Sequence, residues 1–166
     1  GWAPVGTSST YTIRSSDNYA SSDDGRSIRA VISYQDAQGF DESVTTDTVS
    51  IPAVNHGEAA FGFIDTSDWT TIYPTDSVKV GDTIQIGLVS SDPDRGHLWQ
   101  TESYSWQTSS DNLTWDEVGT SSTYTILADD DNKSIRCVVS YTDNQGFNEV
   151  VNTYSVNVIN DDGDAS

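Results

Sequence analysis

Nine residues of this chain occur twice. Val5–Ile13 reads VGTSSTYTI, and Val118–Ile126 reads VGTSSTYTI again. A second block follows each copy: Ser27–Val44 (SIRAVISYQDAQGFDESV) and Ser134–Val151 (SIRCVVSYTDNQGFNEVV) agree at 12 of 18 positions. Self-similarity of this kind means that one supersecondary unit is used more than once, so the fold must be built from copies of that unit. Trp2 aligns with Trp115, Gly39 and Phe40 with Gly146 and Phe147, and each copy runs into a small acidic linker, 55–59 in the first and 160–165 in the second. Linker to linker is about a hundred residues, the size of one β-sandwich.

This register divides the chain. Residues 1–55 read as the C-terminal half of one repeat, 56–160 as a complete repeat, and 161–166 as the linker into a further one. The half repeat lacks the counterpart of residues 57–113, and half a sandwich cannot bury both faces of its sheets. The chain is therefore expected to be a segment of a longer protein, or to have its half repeat completed by strands of another chain.

Composition points the same way. Hydrophobic residues make up 34% of the chain and charged residues only 20%; Ser, Thr, Asn, Asp and Gly, which favour turns and caps over helix interiors, fill much of the rest. Five Trp and eight Tyr supply side chains large enough to form a core. In the full repeat, strands are expected at 59–64, 78–80, 83–90, 103–108, 113–118, 123–127, 133–142 and 147–159. Turn signals separate them every 8–12 residues or so, which is the pattern of an antiparallel sandwich. No segment reads as a helix.

Trp106 falls on the third major strand, and Cys137 on the penultimate one, after the acidic turn Asp129–Asp131. Together with the ordered blocks YSWQTSSDNLTWDEVGTSSTYTI and KSIRCVVSYTDNQGF, these positions resemble the bacterial immunoglobulin-like or cadherin-like tandem repeats of very large secreted and cell-surface proteins, cyanobacterial ones included. The resemblance covers nearly the whole chain. It implies an all-β fold of tandem immunoglobulin-like antiparallel β-sandwiches. It also implies a structural or adhesive role as a spacer in a cell-surface or matrix protein of a bacterium, and calcium as a stiffener. The apolar stretch Ile86–Leu88 stands where an immunoglobulin domain has its first core Cys. The first unit has a turn six residues longer, Arg14–Asp24, which contains Asn18, Tyr19 and Ala20.

In a sandwich of this type the entry linker, the loop after the second strand and the loop before the last strand share one end. That brings Asn55, Glu58, Asp92, Asp94 and Asp143 together and turns Asp23 and Asp24 of the first unit towards them. Calcium takes six to eight oxygens from carboxylates and carbonyls, and this junction offers that number. Pro93 restricts the backbone between two carboxylates. The same arrangement recurs at Asp129–Asp131 with Asn160, Asp161, Asp162 and Asp164. The alternative is a solvated acidic surface that keeps a long protein soluble. No stretch carries the full EF-hand pattern.

The net charge is −19, with 26 acidic residues against seven basic ones. That argues against a nucleic-acid partner, which needs clustered Lys and Arg, and no apolar run is long enough to span a membrane. Expected partners are neighbouring repeats of the same or an identical chain, and a surface glycan or another cell-surface protein. Trp69, Tyr73, Trp99 and Trp115 carry the alternative of a carbohydrate-binding module with exposed aromatics. Cys137, alternating with Ile135 and Val139, reads as a buried inert thiol. His56 and His97 fall at the junction but do not make a zinc site without further ligands. Asn112 and Asn132 sit in glycosylation sequons. A Lys–Asn cross-link at Lys79 or Lys133 is not favoured, and no nucleophile elbow or phosphate loop points to an enzyme.

Overall fold

The side chains of Ser134–Thr142 alternate between two environments, and the rest of the chain is arranged around that alternation. The computed structural model describes residues 1–15, 21–94, 96–97 and 99–160. The chain divides into two units, Gly1–His56 and Gly57–Ser166. The first holds β1 (Ser27–Ile28), β2 (Val31–Gln35), β3 (Asp41–Thr45) and β4 (Val49–Ser50). The second holds β5 (Ala60–Asp65), β6 (Thr71–Ile72), β7 (Ser77–Lys79), β8 (Thr83–Ser90), β9 (Ser103–Ser109), β10 (Asp116–Gly119), β11 (Thr123–Thr125), β12 (Ser134–Thr142), β13 (Asn148–Asn152) and β14 (Val156–Ile159). Short 3-10 turns lie at Trp99–Thr101 and Ala128–Asp130. Among the described residues the protein is all-β.

The second unit is a two-sheet sandwich. One sheet runs β11-β8-β5-β6; the other runs β10-β9-β12-β14-β7, with β13 also paired to β12. All pairings are antiparallel except that of β14 with β7. β12 buries Ile135, Cys137, Val139 and Tyr141, every second residue, as a pleated strand with one covered face requires. Against them the opposite sheet buries Phe61, Phe63 and Ile84.

Trp106 of β9 joins the two layers. Its ring stacks on Phe63 at 5.6 Å and on Tyr124 at 5.8 Å, and its indole N–H donates to the Ser121 carbonyl at 2.6 Å. The buried ring thus packs on two other aromatic rings with its one polar atom satisfied. The Tyr154 hydroxyl donates to the Ile72 carbonyl and accepts from Phe63 N–H. This close approach requires glycine at 62, where a Cβ would lie 2.6 Å from that hydroxyl. Burial pushes the thiol of Cys137 up to about 12, so it stays protonated and unreactive.

Two expected strands differ from what forms. The segment 147–159 is not one strand but β13 and β14. Cys137 N–H donates to the Thr153 hydroxyl, while Thr153 N–H donates to the Cys137 carbonyl. The pairing then slips by one residue, from Val138 with Asn152 to Ile135 with Val156, which is a β-bulge. The strand expected at 113–118 starts only at Asp116, because Asp111 Oδ1 accepts from Leu113 N–H and Thr114 N–H, both at 2.8 Å. This Asx turn holds the chain out of the ladder and leaves Leu113 exposed.

The first unit repeats the hydrogen bonding of residues 130–159. Asp36 N–H donates to the Phe40 carbonyl as Asp143 N–H does to Phe147. Ile51 N–H donates to the Arg26 carbonyl as Val158 N–H does to Lys133. β2 and β3 pair as β12 and β13 do. Asn18, Tyr19 and Ala20 of the longer turn lie outside the described residues. Burial differs between the units: Ile32, Tyr34 and Val44 are exposed, whereas Val139, Tyr141 and Val151 at the matching positions are buried.

Trp106→Ala is expected to destabilise the second unit by about 3–5 kcal/mol, read as a lowered urea midpoint. Phe40→Ala, at an exposed position of the first unit, is expected to stay within about 0.5 kcal/mol of the parent.

Candidate cation site

Two loops of the second unit converge at one end of its sandwich. The loop between β8 and β9 turns back at Asp92, whose Oδ1 accepts from Asp94 N–H at 2.7 Å and whose carbonyl accepts from Gly96 N–H at 2.9 Å. The loop between β12 and β13 turns at Asp143, whose Oδ1 accepts from Gln145 N–H at 2.8 Å and Phe147 N–H at 2.9 Å. An isolated antiparallel bridge between His97 and Asp143, and a bond from Asn144 N–H to the Gly96 carbonyl at 3.1 Å, join one loop to the other. Gly57 has a φ of 141°, and a Cβ there would lie 3.2 Å from the Pro93 ring, so the position suits glycine.

Three carboxylates meet there. Asp92, Asp94 and Asp143 each offer an oxygen within 4.8 Å of the other two, and their exposures are 3%, 0% and 0%. Asp92 Oδ2 accepts from the Tyr141 hydroxyl at 2.6 Å, and that hydroxyl accepts from Ala59 N–H. Asp94 Oδ1 accepts from the Gln145 side-chain amide at 3.2 Å. The remaining oxygen of Asp143, Oδ2, is buried and has no hydrogen-bond partner, and the same holds for Gln145 Oε1. Burial raises the Asp143 carboxyl above its ordinary value. The Phe147 and Gln145 N–H groups pull it down, and the charges of Asp92 and Asp94 push it up again. A buried carboxylate oxygen with no donor, beside two more acids, is costly as it stands. The donor set is entirely oxygen, which suits a hard divalent cation such as calcium.

The other expected ligands have surroundings of their own. Asp23 lies in the first unit, where its carboxylate accepts from the Tyr11 hydroxyl at 2.7 Å, Arg14 N–H at 2.8 Å and the Arg14 guanidinium at 2.6 Å. The guanidinium holds its carboxyl well below the usual range. Asp130 of the second unit does the same work, accepting from the Tyr124 hydroxyl at 2.7 Å and Leu127 N–H at 2.9 Å. Asp23 therefore belongs to the turn that the repeat carries in both units. Asp24 accepts from the Ser22 hydroxyl and from Val54 N–H at 3.1 Å, with His56 Nε2 at 3.6 Å. Asn55 and Glu58 are exposed, and Glu58 does not stand in the carboxylate group. His97 Nε2 is 2.5 Å from Glu102 Oε1.

The chain matches no protein-family model, no curated protein and no solved structure. Gln145 was not among the residues singled out from the sequence, although the D-x-Q-G-F block that contains it occurs in both units. Tyr141, which aims Asp92, was likewise hidden among the apolar residues of β12. Asp161, Asp162 and Asp164 of the other acidic junction lie outside the described residues, as does Arg95.

The raised carboxyl of Asp143 has a defined consequence. A folded-state value above the unfolded one makes protonation stabilising: the contribution is full below the ordinary Asp range and is lost as pH rises through the raised value. In chelator, the parent protein is therefore expected to gain stability as pH is lowered from neutral towards that range. Asp143→Asn keeps an acceptor for both backbone donors and removes the charge. It is expected to raise Tm in chelator at neutral pH by about 4 °C, or about 1 kcal/mol for a unit of this size. Calorimetric scans across pH check both.

Proposed function

We propose that the chain is a structural or adhesive repeat module of a bacterial cell-surface or matrix protein, a spacer of immunoglobulin-like sandwiches stiffened by calcium. The observation that carries the cation part is the orphaned Oδ2 of Asp143 beside Asp92 and Asp94. A divalent ion there would supply the missing partner and reverse the repulsion among the three acids. Bound by both loops, it would hold that end of the sandwich shut.

Strand order supports the immunoglobulin-like part. The short parallel pairing of β7 with β14, the flanking of β12 by β9 and β14, and the placement of β8 between β5 and β11 are the arrangement expected of such a sandwich. Trp106 lies directly across from Cys137 in the β9–β12 ladder, where that family places its core Trp and second Cys. The acidic surface favours an extracellular setting in which cations are abundant.

Trp69 is 66% exposed and Tyr73 61%, and this favours the second reading, a carbohydrate-binding module. The side chain of Trp99 lies outside the described residues. Trp115 is a poorer platform, because the Arg136 guanidinium covers its ring at 4.3 Å. Glycan-array binding that is lost in Trp69→Ala would support this second reading, and no binding would remove it.

Extracellular calcium modules bind at about 10⁻⁴ to 10⁻³ M. At ~10 mM calcium this corresponds to about 1.4–2.7 kcal/mol of added stability. Differential scanning calorimetry is expected to show that gain in the parent, its loss in the double variant Asp92→Asn/Asp94→Asn, and its retention in Asp23→Asn. Identical parent curves in calcium and in chelator would remove the cation from the reading.

A further inference from the structure

Among the described residues, three buried side-chain polar atoms have no hydrogen-bond partner, and two of them, Asp143 Oδ2 and Gln145 Oε1, stand two residues apart in one loop. The first belongs to the carboxylate group. The second does not: it is the oxygen of a neutral amide, and the repulsion among acids does not account for it. Burying a carbonyl without a donor is costly in its own right.

The two ends of that amide have different surroundings. Nε2 donates to Asp94 Oδ1 at 3.2 Å, which leaves Oε1 on the other side of the same planar group. Turning the amide over would not help, because it would set the carbonyl against a carboxylate, and neither is a donor. The rest of Gln145 is held in place. Its backbone N–H donates to Asp143 Oδ1 at 2.8 Å, and the preceding residue ties the loop to its neighbour through Asn144 N–H and the Gly96 carbonyl. Gln145 therefore bridges two of the three acids, one by its main chain and one by its side chain. A water donating to Oε1 and to Asp143 Oδ2 would satisfy both oxygens, but it would leave three carboxylates within 4.8 Å of one another uncompensated. A cation answers both needs.

We propose that Gln145 is a cation ligand, its amide oxygen joining Asp92, Asp94 and Asp143 in a four-residue oxygen set for a hard divalent ion. This rests on the cation reading above and adds a ligand from outside the acidic group. Amide carbonyls are ordinary calcium ligands. This one adds a donor without adding a fourth negative charge to three that already repel. All four side chains lie in the second unit, on the two loops that meet at one end of its sandwich.

The test uses the whole 166-residue chain and terbium, a luminescent ion that takes oxygen ligands as calcium does. Tyr141 is placed to sensitise it, with its hydroxyl 2.6 Å from Asp92 Oδ2. The parent is expected to give saturable sensitised emission that excess calcium displaces and that Asp92→Asn/Asp94→Asn loses. Comparing decay rates in H2O and D2O counts the waters on the bound ion. Gln145→Ala keeps the backbone N–H that Asp143 uses; it is expected to raise that count by about one and to weaken calcium competition about tenfold. Gln145→Glu keeps an oxygen at the same reach but loses the donor to Asp94, and is expected to restore the parent count. Equal counts in the parent and Gln145→Ala would overturn the assignment and leave the cation reading standing. A count raised alike in the Ala and Glu variants would do the same, because Gln145 would then act only by positioning Asp94. A parent without saturable, calcium-displaceable emission, or a double variant that keeps it, would remove the assignment and the cation reading together.

Discussion

The stacked column Phe63–Trp106–Tyr124 is the contact on which the second unit depends. Phe63 and Tyr124 come from two strands of one sheet and Trp106 from the other, so the stack ties the two layers together. Aromatic pairs stacked in this way add to the area they bury, but the column does more than fill volume. The Tyr124 hydroxyl reaches Asp130, whose carboxylate also takes Leu127 N–H. The same tyrosine therefore anchors the core at its ring and the turn before β12 at its oxygen. β12 then begins at a set position, and a one-residue slip would turn Ile135, Cys137, Val139 and Tyr141 outward together.

A chain with 26 acidic residues that nevertheless buries several of them needs an account of each. Hydrogen bonding separates two kinds. Asp23 accepts with both oxygens, from the Tyr11 hydroxyl, Arg14 N–H and the Arg14 guanidinium, and Asp130 Oδ2 accepts from the Tyr124 hydroxyl and Leu127 N–H; neither residue has an oxygen among the buried ones that lack a partner. Asp143 uses one oxygen in the same manner, on Gln145 N–H and Phe147 N–H, and leaves the other with nothing. Asp36 makes the same Asx bonds, to Gln38 N–H and Phe40 N–H. The turn is thus a property of the repeat. What sets Asp143 apart is the second loop, Asp92-Pro93-Asp94, brought against it by the His97–Asp143 bridge. A turn common to both units becomes a candidate ligand site only where that loop is present.

Much of this was readable in advance, for local reasons. The alternation of Thr83–Ser90 and of Ser134–Thr142 identifies both central strands, and the register between copies assigns Trp106 and Cys137 to one ladder. Strand order alone is enough to bring Asp92, Asp94 and Asp143 to one end. The failures also have local causes. Nothing in the composition of 147–159 distinguishes a straight strand from a bulge, because the bulge is made by one threonine hydroxyl finding Cys137 N–H across the sheet. Leu113 looked like a strand residue because Asp111's grip on the next turn is a matter of geometry. Asp23 and Asp143 are both turn aspartates in sequence. Only the donors around them tell a saturated carboxylate from an orphaned one, although the matching Tyr11 and Tyr124 offered a clue to the former.

The two units also show which parts of such a repeat are self-sufficient. The Tyr11–Asp23 contact, the Asx turn at Asp36 and the β2–β3 hairpin take the same form as Tyr124–Asp130, the turn at Asp143 and the β12–β13 hairpin, although residues 1–56 include no counterpart of β5 to β9. These features rest on contacts between residues close in sequence, which need no core to define them. Ile32, Tyr34 and Val44 have the right pattern but nothing to lie against. Residues 1–56 therefore show the hydrogen-bonded frame of the repeat formed separately from the burial that accompanies it in the second unit.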